Sequence, residues 1–110
     1  MKKLPAIAGF LLLAACQRSD VKVLIGATAV TSPGARPIED SVVVISGRRI
    51  RAVGMRKDVP IPQDSERVDL TGKRLVPATG ASIAAGAESN IVVLDAAGKQ
   101  ERRLVDGEWQ

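Results

Sequence analysis

The amino-acid sequence predicts an all-β chain preceded by an N-terminal signal segment. Three observations carry that expectation. The 110 residues include one Phe, one Trp, no Tyr and no His, so the interior has to be assembled from Val, Ile, Leu and Ala, and β-branched side chains pack best on a pleated surface. Ten glycines and six prolines recur between apolar runs and break the chain into strand-length pieces. The clearest piece is Ser41 to Gly54, SVVVIS then Gly47-Arg48 then RIRAVG. Its apolar run from Val42 to Ile45 suits a strand covered on both faces, and Gly47 permits the positive φ of a tight hairpin.

The signal segment begins with Lys2 and Lys3, continues with an apolar run from Leu4 to Leu13, and ends in Leu13-Ala14-Ala15-Cys16. That is a basic start, an apolar stretch too short to span a bilayer, and small residues before a cleavage point. Leu-Ala-Ala-Cys resembles a bacterial lipobox, which implies that residues 1–15 are removed and that the Cys16 thiol carries a diacylglycerol. The competing reading is a plain cleaved signal with a chance cysteine. Cys16 is the one cysteine of the chain, so no internal disulfide is expected. Lipidation at Cys16 would make membrane lipid a partner, with more than one acyl chain giving stable anchoring. The expected location is the periplasmic face of a bacterial membrane. Without residues 1–15, which hold two lysines and no acid, the formal charge falls from +4 to +2.

Residues 16–21 read as a lipidated tether and residues 22–110 as one domain with a modest core. Val21 to Val30 is expected to be a first strand in which Gly26 marks a bulge or a close approach. Thr31 to Pro37 is dense in turn residues and reads as a loop. In the second strand of the hairpin, strict alternation places Ile50 and Ala52 on one side and Arg49 and Arg51 on the other. Asp58 to Ser65, with Pro60 and Pro62, is expected to run extended over the surface. Glu66 to Leu70 and Arg74 to Val76 form two short strands around Thr71-Gly72. Residues 78–89 are a small-residue connection with room for one helical turn. Asn90 to Asp95 and Gln100 to Val105 are strands about an Ala96–Lys99 turn, and Asp106-Gly107 signals a last hairpin.

Two stretches resemble metal-dependent amidohydrolases. Val68-Asp69-Leu70-Thr71-Gly72-Lys73-Arg74-Leu75-Val76-Pro77 is similar to the segment by which those enzymes leave their N-terminal strands and enter a catalytic barrel. Ser82 to Asp95, with Ile83, Gly86 and the Ile91 to Asp95 run in the matching places, is similar to the segment that returns from the barrel. Ala78 and Ser89-Asn90 depart from the family's Gly and Ala-Asp. The hairpin also resembles the family's, with Ile50 and Gly54 in the corresponding places. The resemblance implies a small β-sandwich of roughly eight strands, the composite domain of those enzymes, with the barrel missing between Pro77 and Ser82. A barrel needs about 250 residues, which the connection cannot supply.

The chemistry available is narrow. The family's metal is held largely by histidines, and the chain has none, so no catalytic, metal or cofactor residue is assigned. Twelve carboxylates remain, a donor type suited to calcium or magnesium, without a calcium-loop spacing. Asp69 and Asp95 match recurring family acids and are expected to cap turns. No Gly-rich phosphate loop opens a helix, and the lack of aromatic platforms disfavours nucleic acid. Arg48, Arg49, Arg51, Arg56 and Lys57 form a basic hairpin. They read first as a solvated strand face with acidic neighbours; the sharper reading is attraction to an anionic membrane, worth about 1 kcal/mol per charge at the surface. The sequence thus points to a non-catalytic, membrane-anchored lipoprotein, which would meet a protein partner or a second copy through an exposed apolar sandwich face. The alternative is an internally deleted amidohydrolase whose parent acts on non-peptide carbon–nitrogen bonds.

Overall fold

A computed structural model describes residues 20–110. Its strands are β1 (Val21–Ile25), β2 (Thr28–Ala29), β3 (Ser41–Ser46), β4 (Arg49–Met55), β5 (Glu66–Asp69), β6 (Arg74–Pro77), β7 (Ile91–Leu94), β8 (Gln100–Val105) and β9 (Glu108–Trp109). They form two mixed sheets, β4-β3-β1-β5 and β2-β6-β7-β8-β9. The all-β, sandwich-like architecture matches the expectation, with nine strands among the described residues rather than eight. The signal segment and Cys16 lie outside the described residues.

The expected first strand is two strands in different sheets. Gly26 turns at φ 91°, and the chain passes from β1 in the first sheet to β2 in the second. The same crossing recurs at Gly72, φ 85°, between β5 and β6. These two crossings run side by side: β1 pairs parallel with β5 and β2 parallel with β6. Thr71 packs so closely on Gly26 that a Cβ there would meet its Oγ1. Glu66 to Val76 is therefore not a hairpin, although both of its strands are where the sequence places them.

The core between the sheets holds Leu24, Val43, Ile45, Ile50, Leu75, Ile83, Ile91, Val93 and Leu104, with Ala27, Ala29 and Leu70. Each fully buried Val, Leu or Ile contributes about 1.5–3 kcal/mol relative to exposure. Alternation sends the other side chains of the first sheet outward, where Val23, Val42 and Val44 form a second buried cluster. Its roof is supplied by Val59 and Ile61 of the segment joining β4 to β5.

The β3–β4 hairpin departs from strict alternation. Val44 pairs with Ala52 but Ile45 pairs with Ile50, so Arg51 is an extra residue in β4. A bulge of this kind inverts the facing of everything beyond it. Ile50 accordingly enters the core between the sheets while Ala52 packs on the outer cluster, correcting the expectation that both share one side. Arg51 stays exposed.

Candidate functional site

The place to seek a site is the junction between β6 and β7, the point at which the resemblance leads one to expect a barrel. The two strands pair directly and antiparallel, Pro77 opposite Ile91. The ladder extends one rung further, with the Ala78 N–H donating to the Asn90 carbonyl at 3.0 Å. Residues 79–89 leave and return through that rung. They contain hydrogen-bonded turns and no helix, Ala81 N–H to Ala78 carbonyl at 2.8 Å and Ala87 N–H to Ala84 carbonyl at 3.0 Å.

This connection is tied to the N-terminal half of the chain. Ile83 is buried in the core and its N–H donates to the Thr31 carbonyl at 2.9 Å. Gly86 N–H donates to Ile50 carbonyl at 2.7 Å, Ile50 N–H to Ala87 carbonyl at 2.8 Å, and Ser89 N–H to Arg48 carbonyl at 2.9 Å. The Arg49 guanidinium adds a bond to the Gly86 carbonyl at 3.1 Å. Residues 86–89 thereby act as a short extra edge on β4. Asp106-Gly107 closes β8–β9 with φ of 51° and 82°, the pair of positive angles a type I′ turn demands. Gly107 lies against the Gly47 carbonyl, where a Cβ could not fit.

Between the start of the connection and β8 lies an open groove of about 780 Å³. Its polar groups include Thr79, Ser82, Glu88, Asn90, Arg103 and Asp106, and Val92 and Val105 are among its apolar ones. Asn90 Oδ1 is occupied, accepting from the Asp106 N–H at 2.9 Å. Asp106 also stands 3.5 Å from the Arg48 guanidinium. These groups can hydrogen-bond and balance charge. They include no imidazole or thiol to act as a base or nucleophile at neutral pH.

The residues present do not fit the metal that the resemblance implies. Histidine is absent from the sequence, and among the described residues no three His, Cys, Asp or Glu side chains gather to share an ion. Asp69 and Asp95 sit at separate turns. Asp69 Oδ1 accepts from the Thr71 hydroxyl at 2.6 Å and the Thr71 N–H at 3.0 Å. Those bonds, hydroxyl first, hold the Asp69 carboxyl below its ordinary range against an opposing effect of burial, and the Arg56 charge adds a lesser push in the same direction as the bonds. Asp95 Oδ1 accepts from Ala97 and Lys99 N–H, both at 2.9 Å. Both acids therefore cap turns, as expected.

The basic hairpin is partly neutralised. Arg56 grips Asp40 Oδ1 through Nε at 3.1 Å and Nη2 at 2.7 Å, and Arg48 faces Asp106, which fits the reading of a solvated face with acidic neighbours. Among the described residues the exposed large hydrophobics are Met55 and Val105. The outer face of the second sheet interleaves half-buried Val76, Val92 and Leu94 with exposed Arg74 and Arg103.

Sequence reading missed the groove, because its walls come from residues up to 28 positions apart whose types are unremarkable. It also missed the stack of the Arg102 guanidinium on Trp109, 3.7 Å from the ring centroid. A signal for that contact was present, since a two-residue Asp-Gly turn places both side chains on one face of the hairpin.

No family model matches the chain, and no curated protein does. Solved structures with partial likeness include molinate hydrolase, at 23% identity over 55% of this chain and a TM-score of 0.48. A prolidase gives 32% over 52% and 0.44, and E. coli guanine deaminase 20% over 52% and 0.45. These neighbours are amidohydrolase-family proteins. The chain spans 13%, 14% and 16% of their respective lengths.

Proposed function

We propose that this chain is a non-catalytic module, carried at the periplasmic face of a bacterial membrane by lipid on Cys16. It would engage a protein partner through the outer face of its second sheet. The observation that carries the reading is the direct closure of β6 on β7, with Pro77 opposite Ile91 and Ile83 plugging the core. A domain that completes its own interior at the junction needs no barrel to be stable, and its residue types offer recognition rather than bond cleavage. The resemblance of Leu13-Ala14-Ala15-Cys16 to a lipobox supports the anchor.

A second reading is favoured by the same rung. Ala78 and Asn90 are neighbours, so a chain could leave and re-enter there without disturbing either sheet. An amidohydrolase that has lost its barrel would look like this, and its parent would hydrolyse carbon–nitrogen bonds other than peptide bonds.

The test is to express the full chain in a bacterium and follow it by fractionation and intact mass. A membrane-bound product starting at Cys16 with added acyl mass, released to the soluble fraction by Cys16→Ser, is the expected result. Unmodified Cys16 or an uncleaved chain would remove the anchor from the proposal. Turnover of an amide or ring C–N substrate panel with zinc supplied would overturn the non-catalytic assignment.

A further inference from the structure

The outer face of the first sheet carries an apolar cluster that is covered by a connecting segment rather than by a second sheet. Val23, Val42 and Val44 are at most 1% exposed there, flanked by Val21, Ile25 and Ala52. The cover is residues 56–65, which carry no strand or helix, and its apolar contacts are Val59 and Ile61.

The attachment of that cover is lopsided. At its start, Asp58 and Val59 N–H both donate to the Met55 carbonyl, at 2.9 and 3.1 Å, and Arg56 N–H donates to the Asp40 carbonyl at 3.0 Å. The Arg56 side chain adds its two bonds to Asp40 Oδ1. Beyond Val59 the side-chain bonds are local: Ser65 hydroxyl to Pro62 carbonyl at 2.6 Å, and Arg67 to the same carbonyl at 3.5 Å. Pro60 and Pro62 have no N–H to give the sheet and stiffen the segment between them. Val59 seats directly over Gly54, where a Cβ would stand 2.7 Å from Val59 Cγ2.

We propose that residues 56–65 are a latch-held strap, which swings off the first sheet while both sheets stay paired and so uncovers the Val23, Val42 and Val44 face. The strap moves as a stiff unit because of its prolines, turns about the ends of β4 and β5, and is latched by Arg56 on Asp40. Segments with few buried contacts and few backbone bonds open at lower free energy than the whole fold. Gly54 is the seat of the strap, and its side chain would point at the strap rather than into the core, as Val42 opposite it does.

The test uses thiol labelling in the full chain carrying Cys16→Ser, so that an introduced cysteine is the only one. Val44→Cys reports the face under the strap and Val43→Cys the core between the sheets. In native buffer Val44→Cys is expected to label at least tenfold faster. Gly54→Ala or Arg56→Ala should raise that rate severalfold further and leave Val43→Cys unchanged. Equal rates at the two positions, accelerated together by urea, would mean that the face is uncovered only by global unfolding and would overturn the proposal. Should either cysteine variant fail to give a cooperative melt, tryptic nicking at Lys57 in the Cys16→Ser chain serves instead. Faster nicking in Gly54→Ala supports the strap, and an unchanged rate overturns it.

Discussion

Gly107 shows how a residue without a side chain decides the meeting of two hairpins. The Asp106-Gly107 turn presses on the Gly47 carbonyl at the tip of β3–β4, and the Gly107 N–H donates to the Ser89 carbonyl at 3.2 Å. Gly107→Ala would push a methyl into that carbonyl and strain a φ of 82°. The expected loss is about 1–3 kcal/mol from overpacking alone, read as a lowered urea midpoint. Gly98→Ala has a similar φ of 87° and open space around it, so it isolates the backbone strain and should cost less. Asp69 makes a prediction in pH. Its folded carboxyl titrates below the ordinary value of 3.8 because Thr71 donates to it twice. The stability it contributes is therefore present above that value and is lost as pH falls through the depressed folded midpoint. Carbon-detected titration should place the Asp69 midpoint below 3.8, and Thr71→Ala should move it upward.

The elements differ in how far they depend on distant partners. Ile83 is the plug by which the 78–90 connection enters the core. Ile83→Ala is expected to cost about 2–5 kcal/mol, whereas Val105→Ala, at a position 37% exposed, should stay within about 0.5 kcal/mol. Comparable melts for the two variants would mean that the connection is not part of the cooperative unit. The hairpin β3–β4 and the β8–β9 turn were legible in advance, because Gly47 and Asp106-Gly107 are local devices whose geometry needs nothing beyond neighbouring residues. Arg51 was not. A bulge depends on which register lets Ile50 and Val53 both reach the core, and that is a property of the opposite sheet.

For the whole molecule, the N- and C-terminal halves form one body held by parallel ladders between β1 and β5 and between β2 and β6. A single cooperative urea transition, reported together by far-UV circular dichroism and Trp109 fluorescence, is expected. Two transitions would show that the sheets fold separately. The candidate groove belongs to this scale too, since the 78–90 connection that walls it is held to the N-terminal half by the Ile83 N–H on the Thr31 carbonyl and the Gly86 N–H on the Ile50 carbonyl.

Strand content, turn positions and the poverty of catalytic side chains follow from residue type and spacing alone, since β-branched runs, positive-φ glycines and the lack of imidazole act locally or by simple presence. Tertiary packing decided the rest. It split Val21–Val30 between two sheets at Gly26, turned Ala52 away from Ile50, and laid Val59 and Ile61 over the valine face. In each case the choice was made by which apolar side chains could leave water together, and those partners lie far apart along the chain.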